Sequence, residues 1–527
     1  MNSEVKKIEF GDFQTPQSLA DKILMLLTSR GIRPATVIEP TCGLGSFVQA
    51  SQRIFPSAAV FAFDINRNYV TRVQSLSNGA TPQLHAEVQD FFKKNWRSFF
   101  QTIREDILVV GNPPWVTNAS LGALGGSNLP KKSNFQNHRG FSAKTGKANF
   151  DISEWMLIKI LEALGSHRGC LAMLCKTATA RKVLRHAWRN RFPVDRVLLH
   201  RIDAQEHFDV AVDACLLIVH TSAVGASPTA AVYHNLSFDD KVSTLGLQGE
   251  ELVADVEEFL RLRDLEGIPY YTWRSGVKHD AARVMELRRD RRGLCNGTGE
   301  VANIEDTYIY PLLKSSDLAN GVLNPSRYVL LTQRQPNDDT GHIRQEAPST
   351  WRYLNAHAEI LDARRSIIYQ KRPRFSVFGI GDYTFAPWKV AISGFYKSLK
   401  FRVIGSCAKK PIVVDDTCYF IPCQTKHEAQ FVCDLLNSDV CQRFLRSLVF
   451  FDAKRPVTID VLNRIDLKRV AERLGVESEA RKLLVNARHY EKEQPLLVFE
   501  KRAEYRTKRF THMQPTHSSV AISERRR

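Results

Sequence analysis

The chain has no Cys-x-x-Cys pair, and its ten cysteines stand without histidines at metal-ligand spacing. That argues against a structural zinc site or a redox motif and predicts no bound metal. No apolar run approaches the ~18 residues that would span a membrane. The first residues, Met-Asn-Ser-Glu-Val-Lys-Lys, lack an apolar signal core, so the expectation is a cytoplasmic protein with reduced thiols and no membrane partner. Internal repeats and heptad runs are also missing. Negative charge is in deficit: 56 acidic residues face 74 basic ones, a formal charge of +18 over 527 residues. The excess is shared about equally between residues 1–230 and the remainder, so a polyanion, nucleic acid first, is the expected partner. With 43% hydrophobic and 25% charged residues, the chain has ordinary globular composition, and its length suits two or three domains.

What is present begins with alternation. Short aliphatic runs near 36–39, 58–63, 84–88, 106–110, 169–175, 194–199 and 214–220 predict seven strands. Helical periodicity is visible near 17–29, 44–55, 152–164 and 178–190. This pattern predicts an α/β domain over residues 1–226 with a seven-stranded, mostly parallel sheet. Residues 116–150 interrupt it. They hold Lys131, Lys132, Arg139, Lys144 and Lys147 and no acidic residue, so this insertion is expected to meet a phosphate backbone. Residues 227–466 read as a second, α+β domain, and 467–527 as a helical, basic tail. In the second domain, Lys278 and His279 lie in Ser275-Gly276-Val277-Lys278-His279-Asp280, just before a helical run, where an anion could bind.

Chemistry gathers at the strand ends. Val37-Ile38-Glu39-Pro40-Thr41-Cys42-Gly43-Leu44-Gly45 reads as a strand, a tight turn and a helix start, with Gly43 and Gly45 allowing close approach of a ligand. The third glycine of a dinucleotide fingerprint is missing, and Glu39 would repel a pyrophosphate; a carboxylate there suits a cationic amino group. The second strand ends in Asp64, placed to accept from ribose hydroxyls. The third ends in Asp90-Phe91, an acceptor beside an aromatic wall. The fourth ends in Asn112-Pro113-Pro114-Trp115. Two prolines enforce an extended turn and leave its carbonyls as acceptors. With the Asn112 oxygen they suit an exocyclic amino group, and Trp115 reads as an exposed face for the ring that carries it. No cysteine follows the Pro-Pro pair, so the nucleophile for carbon methylation of cytosine is missing.

In this order the motifs resemble the gamma class of S-adenosylmethionine-dependent DNA adenine-N6 methyltransferases of restriction-modification systems, over roughly residues 10–220. The resemblance implies a Rossmann-like class I methyltransferase fold followed by a C-terminal DNA target-recognition domain. It places Gln14, Thr15 and Pro16, of Phe13-Gln14-Thr15-Pro16, with Glu39, Pro40, Gly43, Gly45, Asp64, Asp90, Phe91 and Asn112 around the cofactor. Asn112 to Trp115 match the catalytic motif, with Trp where the family more often has Tyr or Phe, and Phe208 stands where the family sets an aromatic against the flipped base. Double-stranded DNA is the implied substrate, and a separate restriction endonuclease a partner. Two rivals stay open: methyl transfer to amino groups of RNA or of protein glutamine, and a non-catalytic DNA-specificity subunit.

Overall fold

The computed structural model describes residues 13–76, 83–103, 106–116, 151–165, 167–222, 228–370 and 372–484. They form two compact units. The first comprises residues up to Ile268 with returns at 393–400 and 435–470; the second comprises 269–392, 401–434 and the residues from Ala471 onward.

The first unit is built on one sheet. All seven expected strands are present: β1 Thr36–Glu39, β2 Ala59–Asp64, β3 Leu84–Val88, β4 Ile107–Gly111, β5 Gly169–Lys176, β6 Val194–Asp203 and β7 Asp213–Thr221. The sheet itself has ten strands rather than seven. Beyond β6 it continues into β8 Thr229–Tyr233, β9 Lys241–Gln248 and β10 Glu251–Val253, so residues 228–253 extend the sheet instead of opening a new one. The order is β10-β9-β8-β6-β7-β5-β4-β1-β2-β3. Pairing from β3 through β5 is parallel, while β7 lies antiparallel to both neighbours. Half-polar β9 and β10 lack the unbroken apolar run that marks a strand covered on both faces, which is why they escape a pattern search.

Helices cover both faces: α1 Gln17–Ser29, α2 Ser46–Ile54, α3 Arg67–Gln74, α4 Trp96–Gln101, α5 Ile152–Leu164 and α6 Thr177–Arg189, with the short α7 Ala204–Phe208 before β7. One core layer packs Phe63, Phe91, Trp96, Phe100 and Met156; the other packs Leu19, Ile23, Phe47, Val48 and Trp115. The chain runs outward from β1 through β2 to β3, then crosses to β4 on the other side of β1. That reversal opens a crevice at the carboxyl ends of β1 and β4, where open α/β sheets take their ligands. Glu39 ends β1 and Asn112 follows β4.

The second unit holds a five-stranded sheet, ordered Gly293–Asn296, Glu286–Asp290, Arg327–Leu330, Ile309–Leu313 and Val413–Val414, together with helices such as Pro348–Ala356. Its own core includes Val284, Leu287, Val329, Leu354 and Phe375.

Candidate active site

The residues before α1 strap the glycine turn in place. Gln14 Oε1 accepts from the Leu44 amide at 2.9 Å, Ser46 Oγ donates to the Thr15 carbonyl at 2.7 Å, and the Pro16 carbonyl accepts from the Leu19 and Ala20 amides of α1. Gly43 has φ +50°, which favours glycine, and a Cβ there would lie 2.6 Å from Gln14 Oε1, so a side chain would have to displace the Gln14 amide. Gly45 is left-handed at φ +87° and caps α2. The Gly43 amide donates to Asp64 Oδ2 at 3.0 Å, and Asp64 Oδ1 accepts from the Asn66 amide at 2.8 Å. Asp64 therefore holds the turn through both of its carboxylate oxygens. Ile65, beside it, is 54% exposed, an aliphatic surface at the same edge that the sequence reading did not single out.

Glu39 is only 3% exposed, and its Oε2 has no hydrogen-bond partner. Burial, with the Asp64 carboxylate second, pushes its carboxyl well above the usual range. A buried carboxyl with a free oxygen is costly unless a cation arrives, because ions lose hydration on leaving water. The amino group of a methionine moiety meets that need, with the Gly43–Gly45 turn and Asp64 beside it. These residues fit S-adenosylmethionine.

Asn112 completes the edge. Its Nδ2 donates to the Phe13 carbonyl at 2.9 Å, which turns Oδ1 the other way, and that buried oxygen has no partner. Pro113 is buried and Pro114 half-buried. Trp115 departs from expectation: it is 4% exposed rather than open. Its ring centroid lies 6.1 Å from Phe13 and 5.2 Å from Phe208, which in turn are 6.5 Å apart. The three rings lie against one another. This places Phe208, 93 positions later in sequence, against Trp115.

A clasp behind the turn escaped the sequence reading. Lys176 Nζ donates to the Trp115 carbonyl at 2.7 Å and to Asp151 Oδ2 at 2.8 Å. Asp151 also caps α5 through the Ser153 amide, and the Ile152 amide donates to the Val116 carbonyl at 2.9 Å. The sequence signal was a single lysine ending the apolar run Cys170-Leu171-Ala172-Met173-Leu174-Cys175.

Other expected residues lie apart from this network or are engaged. Asp90 follows β3, whose end is tied to β2 by the Gln89 amide on the Asp64 carbonyl at 2.9 Å. Its Oδ1 accepts from the Phe92 amide at 2.9 Å, and Phe91 is buried 5.0 Å from the Trp96 ring. Pro40 packs near Gly111. In the second unit, Lys278 Nζ pairs with Asp280 at 2.6 Å and lies 3.7 Å from Asp416, and His279 Nε2 lies 3.3 Å from Glu286. Lys131, Lys132, Arg139, Lys144 and Lys147 fall outside the described residues. Among the described residues no cluster of His, Cys, Asp or Glu could hold a metal ion, and no helix is long and apolar enough to cross a membrane.

No family model matches the sequence. The chain is 42% identical over 480 residues to the type II methyltransferase M.NspV of Nostoc sp., covering 89% of this chain and 99% of that one. Its fold is similar to that of the Type IIL restriction-modification enzyme MmeI, whose structure was determined in complex with DNA. The TM-score is 0.53 at 12% identity, over 97% of this chain and 78% of that chain. At that identity the likeness concerns the fold alone. A relative aligned along nearly its whole length settles the family: the chain belongs to the type II methyltransferases, which take their methyl group from S-adenosylmethionine.

Proposed function

We propose that the protein methylates the N6 amino group of a flipped-out adenine in double-stranded DNA, as the modification component of a restriction-modification system with a separate endonuclease. The observation that carries this reading is the orphaned Oδ1 of Asn112, buried, aimed by the Phe13 carbonyl, and following the strand next to the one that ends in Glu39. An exocyclic amino group has two hydrogens to donate. Asn112 Oδ1 and the Pro113 carbonyl would accept them, draw the nitrogen toward a tetrahedral shape and stabilise the positive charge that grows as it takes the methyl group. Asparagine suits the role because it accepts without becoming protonated.

The bound cofactor supplies a methyl group on a positively charged sulfur, which leaves as a neutral thioether. Glu39 neutralises the cofactor's amino group, Asp64 takes its ribose, and Asp90 and Phe91 serve its adenine end. Extruding the target base costs a few kcal/mol, offset in part by stacking. Trp115 and Phe208 provide the faces. The basic insertion holding Lys131, Lys132, Arg139, Lys144 and Lys147 contacts phosphates, and the second unit serves as the target-recognition region.

The test is methyl transfer from radiolabelled S-adenosylmethionine to unmethylated duplex DNA, followed by nucleoside analysis. N6-methyladenine is the expected product. Label in cytosine, in RNA alone or in glutamine of a protein would overturn the adenine assignment, and cofactor binding without transfer to any acceptor would favour a specificity subunit.

A further inference from the structure

The second unit carries an arginine-rich β-ribbon. Glu286–Asp290 and Gly293–Asn296 pair antiparallel from Leu287 opposite Asn296 to Asp290 opposite Gly293, closed by the two-residue turn Arg291-Arg292. On its other side Glu286–Asp290 pairs with Arg327–Leu330 only from Glu286 to Arg288. Residues 289–292 therefore run past that neighbouring strand. Arg288, Arg289, Arg291 and Arg292 are all exposed.

Only one of the four is neutralised locally. Arg292 is gripped by Asp290, with Nη2 on Oδ2 at 2.9 Å and its amide on Oδ1 at 2.7 Å. Arg288, Arg289 and Arg291 have no carboxylate partner among the described residues. Their cross-strand neighbours bring no carboxylate: Arg288 faces Cys295 on one side and Arg327 on the other, and Arg289 faces Leu294 with its guanidinium 5.8 Å from the centre of the Tyr328 ring. Arg327 is itself occupied by Asp317 at 2.8 Å. Like charges held together on a strand destabilise it, and a polyanion removes the cost.

We propose that this ribbon docks in a groove of double-stranded DNA, with Arg288, Arg289 and Arg291 on the phosphates that flank it. The inference rests on the reading of the substrate as duplex DNA. Two strands about 4.8 Å apart fit a major groove about 12 Å wide, which admits a β-ribbon. Arginine suits the contact because its planar fork matches phosphate oxygens and stays charged at any working pH.

The experiment uses the full chain and a duplex holding the sequence that the unaltered protein methylates, located by sequencing methylated DNA. Binding is titrated against salt for the triple variant Arg288→Ser/Arg289→Ser/Arg291→Ser and for the corresponding triple Lys variant. For three lost phosphate contacts the slope of log affinity against log salt should flatten by about 3, with affinity at ~0.15 M salt at least about 10-fold weaker. The Lys variant should keep the slope. Unchanged S-adenosylmethionine affinity together with an unchanged thermal unfolding profile shows that both units of the Ser variant are folded. A Ser variant with unaltered slope and affinity overturns the ribbon's role alone; an unaltered protein that neither binds nor methylates duplex DNA overturns the substrate reading and the ribbon with it.

Discussion

Asn112 and Phe13, 99 positions apart, are joined by a single hydrogen bond of 2.9 Å from the side-chain amide to the main-chain carbonyl. That bond decides which way the side-chain amide is turned. The nitrogen is spent on the strap before α1, and the oxygen remains as an acceptor. The same strap carries Gln14 and Thr15 to the glycine turn, so that turn and the Asn112–Trp115 turn are braced by one segment.

Replacing Asn112 with Ala should abolish this acceptor and leave cofactor binding intact. Loss of one preorganised partner at a developing charge costs about 100- to 1,000-fold in turnover. Single-turnover methyl transfer and calorimetry of S-adenosylmethionine binding check the two halves. Full activity in this variant would remove Asn112 from the chemistry.

Glu39 predicts a proton release. Burial and the neighbouring Asp64 hold its carboxyl well above the usual range in the free protein, whereas the cationic amino group of the cofactor favours the ionised form. Binding should therefore expel a proton below the raised value. Calorimetry in buffers of different ionisation enthalpy should report that release, and Glu39→Gln should lose it. The stability sign follows from the same shift. With a folded value above the unfolded one, the contribution of this group is fully present below the ordinary carboxylate range and is lost as pH rises toward the raised value. The Gln variant should lack that decline in a series of thermal unfolding curves.

Phe208→Ala should weaken use of DNA without touching the cofactor. Its ring meets Trp115 at 5.2 Å, and Phe208 is only partly buried, so its removal should raise KM for DNA several-fold with S-adenosylmethionine affinity unchanged. A fluorescent 2-aminopurine at the target position should brighten less on binding. Trp115→Ala is a poorer probe, because losing a buried Trp costs about 3–5 kcal/mol of stability. Trp115→Phe should keep a face and most of the activity.

Lys176 is predicted to be a positioning residue. Removing its ammonium by Lys176→Met frees the Trp115 carbonyl and leaves Asp151, 8% exposed at its side chain, without its cation. Breaking a buried pair from one side is costly, about 3–5 kcal/mol in well-buried cases. Here Lys176 is itself 28% exposed, so solvent reduces the figure. The expected outcome is a fall in kcat with little change in cofactor affinity, partly restored in Lys176→Arg. Equal losses in stability and cofactor affinity, without a selective fall in kcat, would reduce the clasp to a packing role.

Gly43→Ala should lower cofactor affinity by at least about 10-fold, or about 1.4 kcal/mol. The new methyl group would collide with Gln14 Oε1 in a backbone conformation that disfavours side chains. Binding calorimetry checks it, and unchanged affinity would show that the strap yields freely.

Local patterns in the chain already determined much of the catalytic unit. The strand at Thr36–Glu39 and the helices at Gln17–Ser29 and Ile152–Leu164 stand where the sequence pattern puts them, because a strand buried on both faces and helices packed on a sheet write their burial into neighbouring residues. The residue types at the strand ends also pointed to an acid-lined donor site beside an amide acceptor. Only the tertiary structure decided what those ends do together. Strand order comes from pairing between distant segments, and it set Glu39 beside the strand leading to Asn112, turned the Asn112 amide by way of Phe13, and brought Phe208 onto Trp115. It also buried the Trp115 ring and recruited Lys176, since the partners of both are supplied by segments remote in the chain, which no local period records.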